Sequence, residues 1–310
     1  MVAGSAIESA AVVGLGTMGP GIAATLARAG LKVSAFDADP AKRAKAAPGF
    51  AAAATVLTAL AVPDRGAHDI AIHDTLASCV AGADLVIETV PEDLDLKIQV
   101  FREIEAQVRE DAILASDTSG IPITQIQAGT RVPGRVIGMH WSNPPHIIPM
   151  IEVISGAHTA PGVASALIEL IRRCGHLPIT IRKDVPGFVE NRVLYAVMRE
   201  CIDLVEQGVI EPQDLDACVS WGIGYKLAVV GPMALLDMAG LDIYAAVSSY
   251  LNKELCNRTD TAGYIAARMA QRKLGIKTGG GVYDYTPERI AELQSARAAK
   301  LVAVRKVLQA

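Results

Sequence analysis

From Ala10 to Ile181 the apolar residues come in short runs separated by amphipathic stretches, the pattern of buried strands alternating with helices. The run AAVVGLGTMGPGIAATLARAGLKVSAFDAD, beginning at Ala10, predicts a strand, a glycine turn, a helix ending at Gly30 and a second strand ending at Asp37. Further strands are expected at Asp84 to Val90, Ala112 to Ser116, Arg135 to His140, Met150 to Ile154 and Gly175 to Ile181, with helices between most of them. The most apolar stretch, Ala46 to Val62, is broken by Pro48 and Gly49 and carries Thr55 and Thr58. It reads as a buried alanine-rich helix and is too interrupted for a membrane span.

Asp184-Val185-Pro186-Gly187 marks a boundary, after which the period changes. Val189, Val193, Val197, Cys201 and Val205 recur every four positions with charges between them, and Gly208 stops the run. Further helices are expected over 212–220, 232–255, 262–274 and 287–308. The fold class that follows is α/β: a doubly wound, mostly parallel sheet over residues 1–184, then an all-helical domain over 185–310. A cleft between two such domains is the expected place for a small substrate. The last helix carries Ile290, Leu293, Leu301, Val304 and Leu308 among charges, and either packs on its own domain or forms a dimer seam.

Composition narrows the function classes. Of the 310 residues 51% are apolar but only 4% aromatic, so the cores must be built from Ala, Val, Ile and Leu. A net charge of −4 leaves no basic footprint for nucleic acid. Cys79, Cys174, Cys201, Cys218 and Cys256 are odd in number and lack CxxC pairs, as expected of reduced thiols in the cytoplasm. No secretion signal is visible before the first strand. His68, His73, His140, His146, His158 and His176 show no metal-ligand spacing, and no cysteine sits beside a candidate base, so neither a metal nor a covalent thiol is expected.

The first turn carries Gly14, Gly16 and Gly19 in GxGxxG spacing, after a strand and before a helix, where a pyrophosphate meets free N–H groups and a helix dipole. Asp37, ending the next strand, has the chemistry to accept both ribose hydroxyls of NAD and repel a 2′-phosphate; the other reading is a helix-cap or turn aspartate before Pro40. A nicotinamide reaction needs a general base. His140 ends a predicted strand at the sheet edge where ligands bind, which makes it the leading base. Glu152, in the next strand-like run, is placed to hold its tautomer, although spacing alone fits a structural His–Glu pair equally well. Ser119, in the SDTSG loop, reads either as a contact to the reacting oxygen or as a turn serine, and His146 as pocket wall.

GLGTMG, SDTS, the H…NP…E run from His140 to Glu152, DVPGFVENR and KTGGGVYDY together resemble the 3-hydroxyacyl-CoA dehydrogenases over residues 7 to 285. The resemblance implies a Rossmann domain, a helical dimerising domain and an NAD-dependent dehydrogenase that works as a homodimer. It implies catalytic roles for His140, Glu152, Ser119 and Asn191. It implies cofactor contacts from the Gly14-Leu15-Gly16-Thr17-Met18-Gly19 turn, Asp37, Glu92, Lys97, Ser119, Asn143 and Lys277. Three departures redirect the substrate, one of them Trp141-Ser142 in place of the family's paired aromatics after the histidine. Where the family carries a Lys-rich arm for coenzyme A, residues 41–83 hold only Lys42, Arg43, Lys45 and Arg65. The segment GYKLAVVGPMALLD also resembles relatives acting on free hydroxy acids, the gulonate and carnitine dehydrogenases. In that branch a cation stands near Lys226, which reads as a partner for a substrate carboxylate or as a solvated lysine. Trp141 and His146 are candidates to shape the pocket. The wording of ASDTSGIPIT and GMHWSNPPHIIPMIEVI resembles most a branch that oxidises a pyridine aldehyde carboxylate of vitamin B6 degradation. The alternatives are a 3-hydroxyacyl-CoA or free 3-hydroxy acid dehydrogenase, and a crystallin-like NAD-binding protein without activity.

Overall fold

A computed structural model of the chain describes residues 6–66 and 69–309, and His68 lies outside them. The chain divides into two units, Met1–Asn191 and Arg192–Ala310.

The first unit is built on one eight-stranded sheet, β1 (Ser9–Val13), β2 (Lys32–Phe36), β3 (Ile70–Ile72), β4 (Leu85–Glu88), β5 (Ile113–Ser116), β6 (Val136–Trp141), β7 (Met150–Ser155) and β8 (Leu177–Ile181). Their spatial order is 3-2-1-4-5-6-7-8. Strands β1 to β6 run parallel, β7 pairs antiparallel with β6, and β8 is parallel to β7. The order reverses between β1 and β4, so the loops leaving these two strands diverge and open a crevice at the carboxyl edge.

Helices cover both faces, which is why the strands read as continuous apolar runs. Helices α1 (Gly19–Arg28), α2 (Pro40–Ala59), α3 (Leu76–Val80), α4 (Leu94–Glu105), α5 (Ile123–Gln127) and α6 (Pro161–Arg173) connect the strands. Ile22 and Leu26 of α1, Phe50 of α2 and Leu167 and Ile171 of α6 share one core with Val12, Val33, Ile87, Met139 and Trp141. Val80 of α3, Phe101 and Ile104 of α4 and Ile123 of α5 share the opposite core with Val13, Val86, Leu114 and Phe188.

In the first unit, two details differ from the sequence-based expectation. The alanine-rich helix is longer than expected and buries only Ala46, Phe50, Ala53 and Leu57, a stripe at three- and four-residue spacing; Ala is small enough for its other faces to meet water. Strand β3 was not expected, because three residues at the sheet edge carry no readable alternation.

The second unit is helical among its described residues. α7 (Glu190–Glu206) leads into α8 (Pro212–Cys218), a π-helical turn (Val219–Gly224), α9 (Tyr225–Val229), α10 (Pro232–Ala239), α11 (Leu241–Leu251), α12 (Gly263–Ala270) and α13 (Pro287–Gln309). The helix expected over 232–255 breaks at Gly240, whose φ of 98° a helix interior does not admit. Glu206 ties α7 to the α12 region: one oxygen takes Arg258 at 2.7 Å and the other the Tyr264 N–H at 2.8 Å. No single helix among the described residues is long and apolar enough to cross a membrane.

Candidate active site

The glycine turn after β1 is shaped by contacts that leave no room for side chains. Gly14 has φ 110°, and a Cβ there would meet Thr89, the residue after β4; a Cβ on Gly19 would collide with the Gly14 carbonyl. Gly16 and Thr17 face outward, with nothing near the position a Gly16 Cβ would take. Such a cradle fits a dinucleotide pyrophosphate: backbone against the sheet on one side, open approach on the other, and α1 starting at Gly19 with Met18 as its N-cap. Asp37 follows β2. Its Oδ2 accepts the Leu15 N–H at 2.7 Å and its Oδ1 the Asp39 N–H at 2.9 Å, so the acid is fixed against the same turn. Asp39, not Asp37, caps α2.

His140 and Glu152 are directly opposed partners across the antiparallel β6–β7 ladder. The 2.8 Å contact joins His140 Nδ1 to Glu152 Oε2, with His140 5% and Glu152 1% exposed. A carboxylate only accepts, so Nδ1 carries the proton and Nε2 is left basic. Glu152 Oε1 accepts the N–H groups of Val189 and Glu190 at 3.0 and 3.1 Å, at the start of α7. Phe188, in a left-handed backbone conformation (φ 47°), sets its ring 5.9 Å from the imidazole.

Burial alone would lower the imidazole's proton affinity. The Glu152 hydrogen bond and the charges of Asp117, Glu152 and Glu190 outweigh it and raise His140 above its ordinary value. Burial likewise favours the neutral form of Glu152, but His140 and the two backbone N–H groups hold its carboxyl below the usual range.

The loop after β5 brings the other polar groups. Glu92 Oε1 accepts from Thr118 Oγ1, Ser119 N and Gly120 N at 2.7, 3.0 and 2.9 Å, which fixes the SDTSG turn. Ser119 is exposed there, and its carbonyl accepts Asn191 Nδ2 at 2.6 Å. The four residues expected to carry the chemistry therefore fall at one edge of the first unit. Asn143 stands exposed just beyond β6.

Three groups in this region carried no usable signal in sequence. Asp117 accepts the Trp141 N–H at 2.8 Å, and burial pushes its carboxyl up to about 8, against that N–H and the His140 charge. Glu88 is fully buried at the end of β4, taking Lys97 Nζ and the Val90 N–H on one oxygen and Ser116 Oγ on the other. Glu190 accepts Ser142 Oγ at 2.7 Å on Oε1. One ligand atom each from His140, Glu152 and Glu190 lie within 4.8 Å of one another. Nδ1 and Oε2 already face each other, an arrangement that can move a proton, with the Glu190 carboxylate beside it.

Other expected residues lie elsewhere. Lys97 is buried with its ammonium 2.8 Å from Glu88 and 3.6 Å from Glu92, because a buried lysine requires counter-charge; it holds the site from behind. Trp141 is corrected outright: it follows His140 in β6 and so points to the opposite face, into the core, edge-on to His176 at 5.5 Å. It is not a pocket residue. His146 packs on α1 at Gly21, and burial lowers its proton affinity. Lys226 is exposed on α9, and Lys277 is exposed in a short turn (Ile276–Thr278), both in the second unit.

The family model for the NAD binding domain of 3-hydroxyacyl-CoA dehydrogenase matches residues 9–185, and the model for its C-terminal domain matches 187–285. The chain is 57% identical to a 5-formyl-3-hydroxy-2-methylpyridine 4-carboxylate 5-dehydrogenase of Mesorhizobium japonicum over 305 residues, 98% of this chain and 99% of that protein. It is 34% identical to an L-carnitine dehydrogenase of Nocardiopsis dassonvillei, covering 76% of this chain and 72% of that one. A solved structure of a 5-formyl-3-hydroxy-2-methylpyridine 4-carboxylic acid 5-dehydrogenase, described as an NAD+ dependent dismutase, matches with TM-score 0.96 and 56% identity, covering 98% and 99%. A (S)-3-hydroxybutyryl-CoA dehydrogenase of Ralstonia eutropha matches with TM-score 0.71 and 34% identity, covering 91% and 100%.

Proposed function

This chain belongs to the 3-hydroxyacyl-CoA dehydrogenase family, and we propose that it oxidises 5-formyl-3-hydroxy-2-methylpyridine-4-carboxylate to the 5-carboxylate with NAD, His140 acting as base and Glu152 as its partner. It is an NAD-dependent dehydrogenase. One observation carries the chemistry: a buried imidazole with Nδ1 held by a carboxylate and Nε2 left basic, at the carboxyl edge of a dinucleotide-binding sheet. The Gly14–Gly19 turn and Asp37 hold the dinucleotide, which when bound accepts a hydride. A hydrated aldehyde is a geminal diol, so one of its hydroxyls can give its proton to His140 Nε2 as hydride leaves the same carbon. Ser119 and Asn191 are assigned to the reacting oxygen. No thiol is needed, and burial pushes Cys79 and Cys174 up to about 12, where neither is a useful nucleophile.

The substrate rests on the 57% identity along nearly the whole chain. The first unit offers coenzyme A little in addition, because Arg43 is engaged by the Asp37 carbonyl at 2.7 Å, by Asp74 at 3.6 Å and by the Phe36 ring. Parallel assays of nicotinamide absorbance with the pyridine aldehyde, 3-hydroxybutyryl-CoA and L-carnitine test the reading. Preferred turnover of the aldehyde is expected; preferred turnover of the thioester or of carnitine would replace it. No turnover of any of them would leave an inactive NAD-binding protein.

The partner is assigned as a second copy of this chain. Helices α8 to α12 bury none of their residues within the chain, and Trp221, Val229 and Met238 are each more than 70% exposed. Such a surface is disfavoured in water unless it is covered. Light scattering is expected to give twice the 32.5 kDa chain mass, and a monomer would refute it.

A further inference from the structure

Resting on the aldehyde reading above, we propose that Glu190 is a second catalytic carboxylate, which accepts a hydrogen bond and then the proton from the second hydroxyl of the hydrated aldehyde. Glu190 is the first residue of α7, and its own N–H is tied to Glu152 Oε1 at 3.1 Å. Ser142, buried just after β6, donates to Oε1 at 2.7 Å and fixes the carboxylate's rotation. Oε2 is then buried with no hydrogen-bond partner among the described residues. A carboxylate oxygen buried without a donor is costly, and a bound hydroxyl supplies the missing one. His140 Nε2 and Glu190 Oε2 offer a geminal diol one acceptor for each hydroxyl, on residues whose ligand atoms come within 4.8 Å of each other.

The step balances as follows. The C–H bond breaks and leaves with both electrons as hydride to NAD. One O–H bond breaks with its proton going to His140 Nε2, and its electron pair becomes the new C=O bond. The second hydroxyl keeps its proton during this step, with its hydrogen bond to Glu190 strengthening as the carbon loses electron density. That proton then passes to Glu190, leaving a carboxylate product. Reduction of the unhydrated aldehyde to the alcohol involves a single oxygen, the one His140, Ser119 and Asn191 serve, so Glu190 has no partner in that reaction.

The experiment compares two reactions of the same variant: aldehyde oxidation with NAD and aldehyde reduction with NADH. Each is measured at the variant's own pH optimum, because Glu190 also raises the proton affinity of His140. Glu190→Gln is expected to lower kcat/KM for oxidation by about 10- to 100-fold, the range for a hydrogen bond to a charged group, while reduction changes less than about threefold. Ser142→Ala, which frees the carboxylate without altering α7, is expected to shift the ratio the same way by a smaller factor. Equal losses in both reactions would make Glu190 a positioning residue, and no loss in either would remove it from the chemistry; both overturn the proposal. A wild-type protein that leaves the pyridine aldehyde untouched fails the aldehyde reading instead.

Discussion

The substitution Glu152→Gln tests the core of the mechanism because it changes charge with almost no change in shape. The amide oxygen can still accept the N–H groups of Val189 and Glu190, so the start of α7 stays anchored. The amide nitrogen then faces His140 Nδ1, and a donor there forces Nδ1 to accept. The imidazole proton moves to Nε2, the atom assigned to take the substrate proton. A charge-assisted hydrogen bond is lost as well, about 1.5–3 kcal/mol, which corresponds to roughly one to two pH units of His140 basicity. Misplaced tautomer and weakened base together should lower kcat by about 10²- to 10⁴-fold. The acid limb of the kcat profile, set in the wild type by an imidazole held above 6.5, should move to lower pH.

Stability provides an independent reading of the same pair. His140 is raised above its ordinary 6.5, so its contribution is full below that value and fades as pH rises through the folded-state value. Glu152 is lowered from 4.5, so its contribution is full above that value and fades as pH falls through the folded-state value. The stability difference between wild type and Glu152→Gln, measured by urea unfolding, should therefore be largest between about pH 4.5 and 6.5. Turnover within threefold of wild type, with an unmoved acid limb, would refute the dyad.

Asp37→Ala should relax the preference for NAD over NADP, read as the ratio of kcat/KM values; it should also weaken both cofactors, because the Leu15 N–H loses its acceptor. An unchanged ratio would place the ribose elsewhere. Lys97→Met leaves Glu88 buried without its counter-ion and should cost about 3–5 kcal/mol in unfolding free energy. The double variant with Glu88→Gln should recover part of that loss, and failure to recover would mean the two charges are not coupled. Cys79→Ala and Cys174→Ala should retain turnover, since burial keeps both thiols protonated; a hundredfold loss in either would reopen a covalent route.

The glycine turn and the acid after β2 were legible because each meets a local demand: room for a phosphate, or a carboxylate at a strand end. His140 and Glu152 were legible as a pair, but whether the pair serves catalysis or only structure was not, because spacing alone fits both. Trp141 was misread although the signal was present, since adjacent strand residues face opposite ways. Glu88, Asp117 and Glu190 were invisible for another reason. Each looks like an ordinary charge at the edge of an element, and only folding shows that the first two are buried and that the third faces an imidazole. In the helical half, Gly240 was read through as a helix residue, where positive φ makes it a break. The apolar stripe of α7 was legible, and Val197, Cys201 and Val205 on it are half-buried while Val189 and Val193 are exposed.

The register of β6 against β7 separates two properties that are often tied together. His140 and Glu152 face each other because ladder hydrogen bonds align Met139 with Val153 and His140 with Glu152, independently of how the chain travels between the strands. The connection between the strands can therefore change in length while His140 and Glu152 stay opposed, as long as Ser142 still reaches Glu190 and His146 still packs on α1. Strand pairing thus holds the two side chains together while the chain between them answers to other contacts.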